Sequence, residues 1–254
     1  MNNYKKIQVY SNPRSGSTYF AGMMELYLRQ YSVLNEPLNP SVARLESEEI
    51  FVASANEAIK QINNTDYIIV KNHALHLSNI YIAKYPELIE RYLEIPFYNI
   101  GLFRRSVFDL LVSLIISRKT KVWGPPYTYK DTTMTITKEE FDIAAEICLR
   151  NFNVFIDNKF GIKFDEVHYY EDLHGYPCMD FGNLEMCPVM PNMLVKHTFG
   201  IEMRTPDKRD VISNFDDMAI WLNQYLDEHN IHDVLDIDEN FMIQNIKWNM
   251  RNDT

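Results

Sequence analysis

The sequence predicts an α/β protein with a central parallel sheet flanked by helices, and three observations carry that prediction. Short apolar runs alternate with longer segments of helical period. Two of those runs, IQVY from residue 7 and FYNIGLF from residue 97, end in a polar turn that opens directly into a helical pattern. No Pro/Gly/Ser-rich linker, charge block or internal repeat divides the 254 residues, so residues 1–254 read as a single domain.

Strands are predicted near residues 6–11, 66–71, 97–103 and 164–170. Between and after them, helices are predicted at 17–30, 41–63, 76–93, 106–119, 138–158 and about 215–229. Such alternation builds a parallel sheet, because parallel strands need crossover connections and helices supply them. The 138–158 helix opens on Thr137 with Glu140 three residues on, a capping box, and carries an apolar stripe of Phe141, Ala145, Cys148, Phe152 and Phe155. These aromatics read as core. In the last helix Met218, Trp221, Leu222 and Tyr225 face inward. Residues 122–135, VWGPPYTYKDTTMT, break all periodicity; with Trp123, Tyr127 and Tyr129 they read either as a lid on the acceptor side of a site or as an ordinary packed loop.

Residues 7–20, IQVYSNPRSGSTYF, are built to hold a phosphate-like group. A parallel strand ending in such a turn leaves N–H groups unpaired at a helix N-terminus, where the helix dipole also favours an anion. Laid on the nucleotide-binding pattern GxxxxGK[ST], Ser11–Thr18 keeps Gly16 and Thr18 but places Ser11 and Ser17 where the first glycine and the lysine stand. The positive charge has moved to Arg14. The fold expected is therefore three-layer and P-loop-like, with a site unlike that of an ordinary NTPase. A surface turn with a helix cap is the alternative. The second strand–turn–helix unit carries Arg104 and Arg105 at the strand's end and Ser113 about two turns into a helix that begins near Ser106. An arginine so placed can fork onto a phosphate. Arg14, Lys71, Arg104 and Arg105 all fall at predicted carboxyl ends of strands, the edge where open α/β sheets bind ligands.

Composition narrows the class. A net charge of −10 argues against non-specific nucleic-acid binding, so the basic groups must form a local pocket. Hydrophobic residues make up 46% of the chain, enough for a sizeable core, yet no run of about 18 apolar residues predicts a membrane span. The opening MNNYKKIQVY runs directly into the first strand and does not read as a signal peptide. Cys148 lies in an amphipathic helix, and Cys178 and Cys187 in a loop-like stretch. A sparse, odd set without metal spacing points to a reducing, cytoplasmic setting, with the pairing of Cys178 and Cys187 left open.

Taken together, these segments resemble the sulfotransferases that use 3'-phosphoadenosine 5'-phosphosulfate (PAPS). NPRSGSTY resembles the family's 5'-phosphosulfate loop; Arg105, Asp109 and Ser113 resemble its 3'-phosphate motif; YIIVKNH (67–73) resembles the strand ending in Lys-x-His of cytosolic members; and YYEDL (169–173) resembles a Tyr-Glu-Asp-Leu at the end of a later strand. The Pro-Arg form of the loop and Asn35-Glu36-Pro37 after its helix look more like the carbohydrate and bacterial branches. The Lys-Gly segment that many cytosolic members use on the 3'-phosphate has no counterpart. The nearest basic run, RTPDKRD, lacks the glycines, and Lys208 and Arg209 read as solvated charge, with donor contacts as the alternative.

The resemblance implies transfer of a sulfuryl group to a hydroxyl or amine of a small-molecule, carbohydrate or lipid acceptor, with PAPS as donor and no metal. It places Arg14, Ser15, Gly16, Ser17 and Thr18 on the phosphosulfate, Tyr19 and Tyr170 at the adenine, and Arg105 with Ser113 on the 3'-phosphate. Arg14 and Lys71 become the cations at the reacting centre. Two residues compete as general base: Glu36, which matches Pro-Arg-type members, and His73, which matches Lys-x-His members and has an ordinary pKa near 6.5. The loop type favours Glu36 narrowly, while His76 and His174 have no comparable support. Two other classes stay open, a small-molecule P-loop kinase or NTPase and a nucleotide-binding protein without turnover. The missing P-loop lysine and the absence of an apolar strand ending in a magnesium-binding aspartate weigh against the first.

Overall fold

Strands buried on both faces of a parallel sheet need nearly continuous apolar sequence, and β1 (Lys6–Ser11), β3 (Ile68–His73) and β4 (Tyr98–Phe103) have it. The computed structural model describes residues 5–40, 47–123, 133–156, 160–171, 178–181, 184–188, 208–229, 236–237 and 243–245. With β2 (Ser32–Asn35) and β5 (Glu166–Tyr169), these strands form a five-stranded sheet, all parallel, in the order β2-β3-β1-β4-β5. The chain leaves β1 for the edge strand β2, returns through β3, and crosses to β4 on the other side. Right-handed crossovers in both directions put helices on both faces of such a sheet, which makes it three-layered. The turn after β1 lies where the direction reverses, the place where open α/β sheets take ligands.

The helices follow from local signals. Helix α1 (Ser17–Tyr27) starts after Gly16, which sits at φ 74°. Ser47 caps α2 (Glu48–Asn64) by accepting the Ile50 N–H. The single helix expected over 76–93 is instead three: α3 (Ala74–Leu77), α4 (Ile80–Lys84) and α5 (Pro86–Leu93). Asn79 restarts the chain by accepting the Ile82 N–H at 3.0 Å. Pro86 then forces the residue before it, Tyr85, out of helical geometry. Helix α6 (Val107–Thr120) is capped by Ser106, and α7 (Lys138–Ile156) has the expected capping box: Thr137 Oγ1 accepts from Glu140 N (3.2 Å), and Glu140 Oε2 from Thr137 N (2.9 Å). The whole predicted stripe of α7 is buried.

Five elements were not foreseen besides β2. Helix α8 (Lys208–Val211) precedes the expected α9 (Phe215–His229). Cys178 and Cys187, read as loop-like, lie on the antiparallel pair β6 (Cys178–Phe181) and β7 (Leu184–Pro188), and a short pair β8 (Asp236–Ile237) and β9 (Ile243–Asn245) follows. Tyr127, Tyr129 and His174 lie outside the described residues, as does most of the 122–135 segment. Among the described residues no helix is long and apolar enough to cross a membrane.

The chain gathers into two compact units, interleaved along the sequence. The first comprises Met1–Asn12, Gly16–Phe103 and Asn151–Val189; the second comprises Pro13–Ser15, Arg104–Arg150 and Met190–Thr254. All five strands of the sheet belong to the first. Its core is an aromatic knot in which Phe103, Phe155 and Phe164 meet edge to face at centroid distances of 5.3–5.7 Å, with Tyr10 against Phe155 and Phe164. A buried polar chain crosses β1 and β3: Asn72 Nδ2 donates to the Tyr92 hydroxyl at 2.8 Å, and that hydroxyl donates to Gln8 Oε1. In the second unit Met218, Leu222, Tyr225 and Leu226 of α9 are buried, and Trp221 meets Phe141 at 5.8 Å.

Phe103 is fully buried at the centre of the aromatic knot. Phe103→Ala is expected to lower the free energy of unfolding by about 3–5 kcal/mol, measured by urea denaturation; a loss below about 1 kcal/mol would show that the knot is not close-packed.

Candidate functional site

In the first unit the site grows from one constraint of pairing. Asn35, the last residue of β2, lies opposite Lys71 of β3, and the chain continues with Glu36, whose N–H donates to the Lys71 carbonyl at 2.7 Å. Glu36 is held at φ 50° and its carbonyl accepts from Asn39 N at 3.0 Å, closing a turn. A non-glycine residue in that region costs on the order of 1–3 kcal/mol and persists only where its surroundings enforce it. Here the strain aims the carboxylate back at β3. Lys71, only 3% exposed, donates from Nζ to Glu36 Oε1 at 2.5 Å and to Thr18 Oγ1 at 3.3 Å.

The two rival bases therefore meet. His73 Nε2 stands 3.2 Å from Glu36 Oε1, and its Nδ1 lies 3.0 Å from Ser11 Oγ. A carboxylate can only accept, so Nε2 donates to Glu36, while Nδ1 faces both the Ser11 hydroxyl and, at 3.3 Å, the Ser11 carbonyl. The second carboxylate oxygen, Oε2, accepts from Asn39 Nδ2 at 2.6 Å and faces His76 Nε2 at 4.0 Å. His76 also receives the His73 N–H on its Nδ1 at 3.2 Å, at the start of α3.

Protonation follows from these contacts. Burial alone would push the Glu36 carboxyl upward, but the His73 hydrogen bond and the His73 and Lys71 charges outweigh it and hold the group well below the carboxylate range. Burial lowers His73 despite the pull of Glu36, and burial, together with neighbouring His73, pushes His76 down to about 3. At neutral pH the cluster is one ion pair flanked by two neutral imidazoles. Among the described residues no three His, Cys, Asp or Glu side chains converge as metal ligands; the cation at Glu36 is the Lys71 ammonium.

The loop after β1 is suited to an anion. In the first unit both polar side-chain atoms of Asn12 are buried with no hydrogen-bond partner, and Gly16, the N-cap of α1, offers no side-chain acceptor to the helix N–H groups. Buried orphan polar groups are rare and call for a missing ligand or water. Gly16 is required twice over: its φ is positive, and a Cβ there would stand 2.6 Å from the Tyr170 ring. Tyr170 thus lies against the loop, while Tyr19 is buried at 4% exposure. Ser17 is buried and Thr18 exposed.

The second unit carries a separate cationic cluster. Arg14, at φ 69°, donates from Nε to Ser113 Oγ at 3.0 Å and from a terminal nitrogen to the Trp123 carbonyl. The sequence-predicted loop arginine and the serine of the proposed 3'-phosphate motif are therefore in contact. Arg105 is half-buried between β4 and the Ser106 cap. Lys208 corrects the reading of that residue as solvated charge: it is largely buried, and its Nζ donates to Asp109 Oδ1 at 2.6 Å and to the Asp109 carbonyl at 3.1 Å. Arg104 approaches the other carboxylate oxygen at 3.7 Å. Burial and the Arg104 charge push the Lys208 ammonium down to about 8 against the pull of Asp109. Arg209 instead lies over the Phe215 ring at 5.3 Å.

Sequence reasoning gave no role to Ser11 or Asn39, set His76 aside, and did not pair Lys208 with Asp109. Only Asn39, in NEPLN beside Glu36, had a local signal. Models of known protein families give no match to this chain, and none of the curated proteins searched is similar enough to count as a match.

Because His73 and His76 are held neutral, the unfolded chain binds protons that the folded chain refuses. Stability is fully present above about pH 6.5 and is lost as pH falls toward the lowered values, by up to about 1.4 kcal/mol per pH unit for each histidine. Urea unfolding of His76→Gln between pH 6.5 and 5 is expected to show a shallower slope than the native chain; an unchanged slope would mean that His76 titrates normally.

Proposed function

We propose that the protein is a sulfotransferase that moves a sulfuryl group from PAPS to a hydroxyl or amine by in-line transfer. The observation that carries the reading is the buried meeting of Lys71, Glu36 and His73 at the carboxyl ends of β2 and β3. This is a cation and a proton acceptor within one cluster, the pair that such a transfer needs. The orphaned Asn12 groups and the uncapped N-terminus of α1 support an anionic ligand at the start of that helix.

When bound, PAPS supplies an activated sulfuryl group on a phosphate leaving group. Lys71 and the N–H groups at Gly16–Thr18 neutralise charge that develops on the leaving oxygen as its bond to sulfur breaks. The acceptor oxygen forms the new bond to sulfur and gives its proton to Glu36. Glu36 can take that proton only once Lys71 has turned from it toward the donor, since Oε1 is otherwise shared by Lys71 and His73 and Oε2 is held by Asn39. His73, fixed by Ser11, keeps the carboxylate oriented and is the alternative base. In the second unit the resemblance assigns Arg105 and Ser113 to the 3'-phosphate, and the surplus of Arg14, Arg104 and Lys208 over Asp109 fits an anion.

Calorimetry with 3'-phosphoadenosine 5'-phosphate, the desulfated donor, tests the reading. Binding independent of magnesium and weakened at least tenfold in Arg105→Ala, a loss in the range of a charge-assisted hydrogen bond, is expected. A preference for ATP with magnesium would replace the sulfotransferase by a kinase, and binding of neither would leave the fold alone. With labelled donor, Arg14→Ala should abolish transfer while far-UV circular dichroism stays native; retained transfer would remove Arg14 from the reacting centre.

A further inference from the structure

We infer that the cleft beside Glu36 is the acceptor site and that it takes an uncharged polyol about the size of one ring, an inference that rests on the sulfotransferase reading for its chemistry but not for its binding. The cleft has a volume of about 270 Å³ and lies wholly in the first unit, between the end of β2, the Glu36–Asn39 turn and one face of α2. That volume is slightly below the range of about 300–1,000 Å³ usual for drug-sized ligands. A single ring fits it, free or as the end of a longer molecule.

Its polar lining names the class. Asn35 and Gln61 offer carboxamides that both donate and accept, Ser54 offers a hydroxyl, and Glu57 offers a carboxylate that accepts; Glu36 lies at the inner edge with its oxygens engaged by Lys71, His73 and Asn39. Vicinal hydroxyl groups, each donor and acceptor at once, match such a set. No Lys, Arg or His lines the cleft among the described residues, so nothing there would compensate a sulfate, phosphate or carboxylate on the acceptor. The Glu36 charge is answered by Lys71. Glu57 is answered only by an exposed ion pair with Lys60 at 3.5 Å, which water screens. A second negative charge entering the cleft would meet two carboxylates, whereas a neutral hydroxyl would meet the donors and acceptors of the polar lining beside the carboxylate proposed to receive its proton. The apolar floor, from Leu34, Phe51 and Ala58, suits the C–H faces of a ring.

Ligand-observed saturation-transfer NMR on the full chain, without any donor, tests the site using myo-inositol and methyl β-D-glucopyranoside as probes and methyl β-D-glucuronide as the anionic counterpart. The two neutral probes should bind and the glucuronide should not. Gln61→Lys, at an exposed position outside the reacting centre, should weaken the neutral probes about tenfold, in the range of one or two lost hydrogen bonds, and admit the glucuronide. Ser54→Trp, which fills the cleft from an exposed helix position, should remove all binding while thermal unfolding stays unchanged. Neutral probes that fail to bind, or bind equally to Ser54→Trp, overturn the assignment of this cleft. Calorimetry with 3'-phosphoadenosine 5'-phosphate on the same samples separates the two readings. Desulfated donor bound without neutral probes refutes the polyol site alone; neutral probes bound without desulfated donor refute the sulfotransferase and keep the polyol site.

Discussion

A lysine ammonium cannot be buried alone, and much of the first unit is arranged around that fact. Lys71 occupies a strand position with 3% exposure, where an uncompensated charge would cost several kcal/mol. Its partner cannot come from β3, whose sequence IIVKNH holds no carboxylate. It comes from the turn after β2, which must pair with β3 in the observed register to bring Glu36 within 2.5 Å. The left-handed backbone at Glu36 and the Asn39 hydrogen bond hold that carboxylate in place, with His73 and His76 packed beside it. An ion pair of this kind contributes little net stability. Its retention next to an anion-ready loop is better understood as preorganisation, with strain held where chemistry is proposed to occur.

The second unit solves the opposite problem, an excess of cations. The Arg104 and Arg14 charges both bear on Lys208, and Asp109 answers Arg104 and Lys208 with a single carboxylate. In a chain of net charge −10, such a local surplus is costly unless it attracts something negative. Two of the three non-glycine residues with positive φ among those described, Arg14 and Glu36, are also residues for which the sequence had proposed catalytic roles. Strained backbone coinciding with motif residues in both units favours a functional reading over a pair of ordinary turns.

Local signals reached a long way. Alternating period, the Thr137–Glu140 capping box and the Phe141–Phe155 stripe are short-range patterns, and each appears where expected because nothing tertiary competes with it. The parallel sheet was legible for the same reason. Where tertiary context decided, the sequence was silent. The four residues of β2, SVLN, are too few for a periodic signal, and only an edge position beside β3 makes them a strand. The 76–93 segment keeps a helical period through Asn79 and Pro86, yet the Asn79 cap and that one proline cut it into three.

The sequence by itself determined the fold class, the strand–turn–helix units and the residue types at the strand ends, since these depend on period, turn chemistry and composition. It left Glu36 and His73 as alternatives and Lys208 as surface charge, because a one-dimensional pattern carries no distances. Only the tertiary structure decided that Glu36, His73, Lys71 and His76 share one buried cluster and that Lys208 reaches Asp109 across 99 residues of chain. The physical reason is that strand register and desolvation, which set both contact and protonation, exist only once the sheet has closed.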